Sequence, residues 1–114
     1  MSELKNRILS RRDLERVPVD VPGWPPGLHV RLMTGRERDR ATRVCESDRP
    51  DSEKMAYVIA TCLVDPEGVN LFDPENPEDL AALLDTSFRT LKILWDAIVE
   101  HNKLDQSKEG LAKN

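Results

Sequence analysis

The sequence has 114 residues, of which 39% are hydrophobic and 33% are charged, so it has the size of one domain and is not disordered by composition. Its net charge of −4 is uneven, because residues 1–49 carry +3 and residues 50–114 carry −7. The acidic second half and the mixed charges of the first argue against a general nucleic-acid binder, and no apolar run is long enough to span a membrane.

Residues 1–15 are highly charged and are predicted to be a flexible N-terminal segment with at most one short helical turn, where Ser10 and Asp13 form a weak capping pair. They lack the apolar block and small-residue cleavage site of a secretory signal. We therefore expect a cytoplasmic protein. Cys45 and Cys62 are isolated in the sequence, which favours two reduced thiols on helices over a disulfide or a metal site.

Two short runs with apolar residues at alternate positions predict a β-hairpin. Their apolar members are Val17, Val19 and Val21 in the first run and Leu28, Val30 and Leu32 in the second. Pro18 has no backbone N–H, so the first strand is predicted to lie at the edge of its sheet. The connecting residues 22–27 form a turn cluster around Trp24. This tryptophan either folds back over the sheet or is an exposed anchor for a partner.

A helix is predicted from Thr34 to about Ser47, because Thr34 and Glu37 have the spacing of a capping box. The turn contains one glycine and no lysine, which excludes a phosphate-binding P-loop. The helix is rich in arginine. We expect its arginines to spread around a solvated helix rather than to line one face, and these are Arg36, Arg38, Arg40 and Arg43.

The remaining helices follow from apolar spacing and from start signals. Residues 52–64 are apolar nearly all round and are predicted to be the central buried helix. Asn76 followed by Pro77 starts a helix that runs to about Leu84, and residues 85–87 restart a helix that runs to about Leu104, with Trp95 in its apolar stripe. The predicted fold is α+β and mainly α-helical. An N-terminal β-hairpin is followed by about four helices in a single domain at 16–104, and a polar, disordered tail occupies 105–114.

No spacing in the sequence demands catalysis, a cofactor or a metal ion. The acidic link at 65–75 does not fit a calcium-binding EF-hand loop, because Gly68 falls at position 4 instead of position 6. His29 lies on a predicted strand and His101 near a helix end, and no motif places a nucleophile beside either of them. We therefore expect a protein that is not an enzyme.

An ordered series of short motifs carries a family resemblance. VDVPGW at 19–24 is followed by VRLMTGRERD at 30–39, ATCLVD at 60–65, EG at 67–68 and LF at 71–72, and an apolar helix ends in EHNKL at 100–104. In this order and spacing the chain resembles the tail assembly chaperones of long-tailed bacteriophages and prophages over about residues 8–114. It departs from their pattern at Pro25-Pro26, where glycines are expected, and at Leu32-Met33.

The resemblance implies a chaperone that binds the tape-measure protein, keeps it soluble, promotes tail-tube polymerisation with the tail-tube protein and is absent from the mature virion. Self-association is also compatible with it, whereas membrane and nucleic-acid partners are not expected. Apolar surface at Trp24 or Trp95 is the predicted partner contact. The alternatives are a small helical DNA-binding regulator, which would shift DNA in a salt-sensitive gel assay, and a minor virion structural protein, which would be found in purified particles.

Overall fold

The computed structural model describes residues 2–10 and 14–104. These residues form five helices and one three-stranded sheet, which confirms the predicted α+β, mainly helical fold. In chain order the elements are α1 (Glu3–Ser10), β1 (Arg16–Pro18), β2 (His29–Arg31), α2 (Gly35–Cys45), α3 (Asp51–Cys62), β3 (Leu63–Val64), α4 (Pro77–Leu84) and α5 (Phe88–Asn102).

The sheet is antiparallel and has the order β1-β2-β3. Val17 lies opposite Val30, as the predicted hairpin requires, and β1 is an edge strand as Pro18 indicated. The third strand was not predicted, because Leu63 and Val64 were assigned to the end of a helix. Leu63 instead adopts an extended backbone with φ −79° and ψ 121°, which ends α3 and lets the chain pair with β2. Both residues are fully buried, and a short buried strand cannot be told from a buried helix end by apolar spacing.

Helix α3 is the centre of the core, as predicted. Every residue from Met55 to Cys62 is buried, and α3 contacts α2, α4 and α5. Helix α5 also contacts β2, so the sheet is joined to the helical core through α5. A helix that is surrounded in this way needs apolar residues on all its faces, which explains its nearly continuous apolar sequence.

Three helix starts agree with the sequence signals. The Thr34 hydroxyl accepts a hydrogen bond from the Glu37 N–H at 3.0 Å, and the Glu37 carboxylate accepts one from the Thr34 N–H at 3.0 Å, which completes the predicted capping box. The Asn76 side chain caps α4, with Pro77 in the first turn, and the Ser87 hydroxyl caps α5. Side-chain caps satisfy backbone donors that have no partner inside the helix, so they fix where each helix begins.

The N-terminal segment is more helical than predicted, because residues 3–10 form the eight-residue helix α1 instead of one short turn. All its residues are exposed, among them Leu4, Ile8 and Leu9. The predicted Ser10–Asp13 pair involves Asp13, which lies outside the described residues, as does the predicted tail at 105–114. Within residues 2–10 and 14–104, no helix has the length and apolar character needed to cross a membrane.

Candidate functional site

A partly buried ion pair joins β2 to α2. Arg31 in β2 is only 7% exposed, and its guanidinium forms two parallel hydrogen bonds with Glu37. Nη1 donates to Oε1 at 2.8 Å and Nη2 donates to Oε2 at 2.9 Å, while Nη1 also donates to the Leu32 carbonyl at 2.9 Å. Glu37 therefore has two tasks, because the carboxylate that caps α2 also neutralises the buried arginine.

Asn70 connects this ion pair to the end of α3. Its Oδ1 accepts hydrogen bonds from Nε and Nη2 of Arg31 at 3.3 and 3.2 Å. Its Nδ2 donates to the carbonyls of Ala60 and Thr61 at 2.9 and 3.0 Å. Carbonyls in the last turn of a helix have no partner inside the helix, so Asn70 completes the C-terminus of α3 and fastens the loop that follows β3.

Asn102 makes the corresponding connection at the end of α5. Its Oδ1 accepts from the Met33 N–H at 2.9 Å, and its Nδ2 donates to the carbonyls of Arg31 and Ile98 at 3.2 and 3.1 Å. One amide side chain therefore forms hydrogen bonds with backbone groups of β2, of the segment leading to α2 and of α5 itself. We refer to Arg31, Glu37, Asn70 and Asn102 as the polar network.

The charges of the network reinforce one another. Hydrogen bonding from Arg31 is the main cause that lowers the pKa of Glu37, and the Thr34 N–H acts in the same direction against the effect of burial. The hydrogen bond to Glu37 raises the pKa of Arg31 although burial opposes it. Both groups therefore stay ionised at neutral pH.

Acidification is expected to weaken the fold through Glu37. Because the pKa of Glu37 is lowered in the folded chain, its stabilisation is fully present above the ordinary value of 4.5 and is lost as the pH falls through the folded value. The Glu37→Gln variant, which keeps a capping side chain, should lose less stability between pH 7 and pH 3 than the wild type. Urea unfolding at both pH values measures this, and an equal loss in the two proteins would contradict the assignment.

Two grooves border the polar network. The first, of about 410 Å³, lies between the start of α2 and the loop before α4, and its lining includes Arg31, Glu37, Asn70 and Asp79. The second, of about 800 Å³, lies between the edge strand and the end of α5 and is called the β1–α5 groove. Its lining combines apolar and charged side chains: Glu15, Val17, Pro18, Leu32, Ala97, Glu100, His101, Asn102 and Lys103.

The other buried polar groups are held in structural roles. Burial is the main cause that raises the pKa of the Cys62 thiol to about 12, so the thiol stays protonated at neutral pH and is a poor nucleophile. The Tyr57 hydroxyl donates a hydrogen bond to the Glu75 carboxylate at 2.8 Å. The pKa of Tyr57 is raised, mainly by burial and also by this carboxylate. Across residues 2–10 and 14–104, no three His, Cys, Asp or Glu side chains are grouped so that they could hold a metal ion.

The two tryptophans predicted to bind a partner lie on different elements and pack against the same core. Trp24 lies in the connection between β1 and β2, and Trp95 lies in α5. Both are half-buried and contact the main hydrophobic cluster. Each therefore leaves only part of its ring surface for a partner, and Trp24 does fold back onto the core.

The expectation that the arginines of α2 spread around the helix is wrong for three of them. At about 100° per residue, Arg36, Arg40 and Arg43 fall within an arc of about 60°, and all three are exposed. We call these residues the arginine stripe. Arg38 lies on another side of the helix.

The residues of the polar network were not identified as a group from the sequence. Arg31 occupies a position that alternates with the apolar residues Val30 and Leu32, which does not predict its burial, and the local sequence around Asn70 and Asn102 indicates no role for either. Arg31 and Asn70 are separated by 39 positions, and Asn102 and Arg31 by 71, so no local pattern links them. The only sequence signal was the capping box, which pointed to Glu37.

Comparisons with protein-family models, with curated proteins and with solved structures found no match to the chain.

Proposed function

We propose that this chain is a bacteriophage tail assembly chaperone. In this proposal it binds the tape-measure protein in the bacterial cytoplasm, keeps it soluble and promotes polymerisation of the tail-tube protein around it. It takes no part in catalysis and leaves before the virion is complete.

The observation that supports the proposal most is the position of the motif residues that carry the family resemblance. Arg31 and Glu37 come from the motif at 30–39, and Asn102 comes from the motif at 100–104. The carbonyls of Ala60 and Thr61, from the motif at 60–65, join them through Asn70. Three of the six motifs, although distant in sequence, therefore meet in one network, which gives these three a common role in the fold.

The β1–α5 groove gives the proposal a surface of suitable shape. Amphipathic helical partners lay their apolar face into grooves lined by apolar side chains. Val17, Pro18, Leu32 and Ala97 supply apolar lining there, next to the charged side chains of the rim. We propose that tape-measure helices contact this part of the surface together with the accessible faces of Trp24 and Trp95.

The Trp24→Ala/Trp95→Ala variant is expected to bind a purified tape-measure fragment at least about tenfold more weakly, since buried aromatic anchors contribute roughly 2 kcal/mol or more to an interface. Binding is measured by titration calorimetry, with folding checked by circular dichroism. Ile93→Ala is the matched control, because Ile93 is another half-buried α5 side chain that packs against the core. Unchanged binding by the double variant, with folding retained, would rule out the tryptophans as contacts. A loss that Ile93→Ala reproduces would assign them a structural role only.

A further inference from the structure

The arginine stripe is an exposed row of positive charge on an acidic protein. Residues 36, 40 and 43 follow the i, i+4, i+7 spacing of one helix face and extend over about 10 Å at 1.5 Å per residue. Among the ion pairs of the described residues, which join Arg7 to Glu3, Arg31 to Glu37 and Lys92 to Asp96, none involves the stripe.

Part of the arginine stripe is unfavourable for the stability of α2 itself. Arg36 and Arg40 are four residues apart and Arg40 and Arg43 are three apart, so like charges are neighbours on the helix surface. Arg36 also lies in the first turn, where the helix dipole disfavours positive charge. Arg43, in the last turn and four residues after Asp39, is favourably placed, so the local conflict is confined to Arg36 and Arg40. Such conflicts are expected where a surface serves a function.

Arg40 and Arg49 both lower the pKa of the Tyr57 hydroxyl, against the larger opposing effects of burial and of the Glu75 carboxylate. The neighbouring carboxylate of Glu75 already accepts the Tyr57 hydroxyl. Arg49 is a further exposed cation, in the connection between α2 and α3.

We propose that the arginine stripe binds an acidic helical segment of a protein partner. A helix with carboxylates at i, i+4 and i+7 repeats the spacing of the three guanidinium groups, and arginine pairs with carboxylates in a bidentate manner. This binding does not depend on the function proposed above.

The charges around the stripe favour a polypeptide with separate carboxylates over a nucleic acid. Exposed Asp39 in α2 and Glu46 at its C-cap lie about 40° and 60° around the helix axis from Arg43, and would face the phosphates of a duplex lying along the stripe. The net charge of −4 adds a long-range repulsion for any polyanion. A partner helix with a row of carboxylates and with basic or neutral residues at its other positions avoids both the repulsion from Asp39 and Glu46 and the long-range repulsion.

The test uses the full chain and a labelled alanine-rich peptide of about 20 residues, with Glu at i, i+4, i+7 and i+11 and lysines elsewhere to balance the charge. A peptide of the same composition with scattered Glu is its control. Fluorescence anisotropy at low salt should show about tenfold tighter binding of the striped peptide. The R36Q/R40Q/R43Q variant should bind the striped peptide about tenfold more weakly than the wild type. The control variant K5Q/R7Q/R89Q removes three exposed basic residues elsewhere, and its affinity should stay within about twofold of the wild type.

Three comparisons of affinity would overturn the proposal. They are equal affinity for the striped and scattered peptides, an equal loss in the two triple variants, and tighter binding of a short DNA duplex than of the striped peptide. Absence of binding by the striped peptide at millimolar concentration would overturn it as well. The stripe variant is expected to remain folded, because it removes repulsion between like charges, and circular dichroism checks this.

Discussion

Replacing Arg31 with methionine is expected to destabilise the fold by about 3 kcal/mol. Methionine keeps much of the apolar stem but removes every donor. The Glu37 carboxylate and the Asn70 Oδ1 each lose two hydrogen bonds, and the Leu32 carbonyl loses one. Because the Glu37 side chain is 25% exposed, water can replace part of what it loses, and the effect falls at the lower end of the range of about 3–5 kcal/mol for breaking a buried pair.

Urea unfolding followed by tryptophan fluorescence measures this loss. Arg89→Met is the matched control, since Arg89 is exposed on α5 and its loss should change the free energy of unfolding by less than about 0.5 kcal/mol. Adding Glu37→Gln to the Arg31 variant removes the unpaired charge and keeps a capping side chain, so it should restore about 1 kcal/mol. An effect of Arg31→Met that does not exceed that of Arg89→Met would contradict the role given to the ion pair.

The second large effect is expected at Asn102, where Asn102→Asp should destabilise the fold by about 2–3 kcal/mol. Aspartate can still accept from the Met33 N–H but cannot donate to the carbonyls of Arg31 and Ile98. Its negative charge would also lie at the C-terminal end of α5, where the helix dipole disfavours it.

Thermal and urea unfolding of Asn102→Asp and Asn102→Ala distinguish the two causes. Alanine removes the hydrogen bonds without adding charge and should cost about 2 kcal/mol. Glu100→Ala, an exposed change two residues away, should cost less than about 0.5 kcal/mol. If aspartate were tolerated as well as asparagine, the amide of Asn102 would not be the link between α5 and β2.

Local signals in the sequence were sufficient for most elements. The capping box at Thr34 and the caps at Asn76 and Ser87 predicted three helix starts, and alternating valines predicted the hairpin. Each of these signals lies within a few residues, so the sequence displays it directly.

Features that depend on residues far apart in the sequence could not be predicted from local signals. Strand β3 exists because β2 supplies its partner, and the burial of Arg31 depends on Asn70 and Glu37 approaching it from different elements. The apolar alternation correctly places Arg31 on the opposite side of the strand from Val30. That side is nevertheless covered, by the Glu37 carboxylate and the Asn70 amide. The arginine stripe, in contrast, could have been found from helix periodicity alone.

The soluble yield of a tape-measure protein tests the proposed function most directly. The chain is co-expressed with a full-length tape-measure protein encoded by the same genome, and the soluble and pelleted fractions are quantified. A tail assembly chaperone should move most of the tape-measure protein into the soluble fraction and be recovered with it. The same soluble fraction with this chain as with an unrelated acidic protein of similar size, and no co-purification, would contradict the proposal.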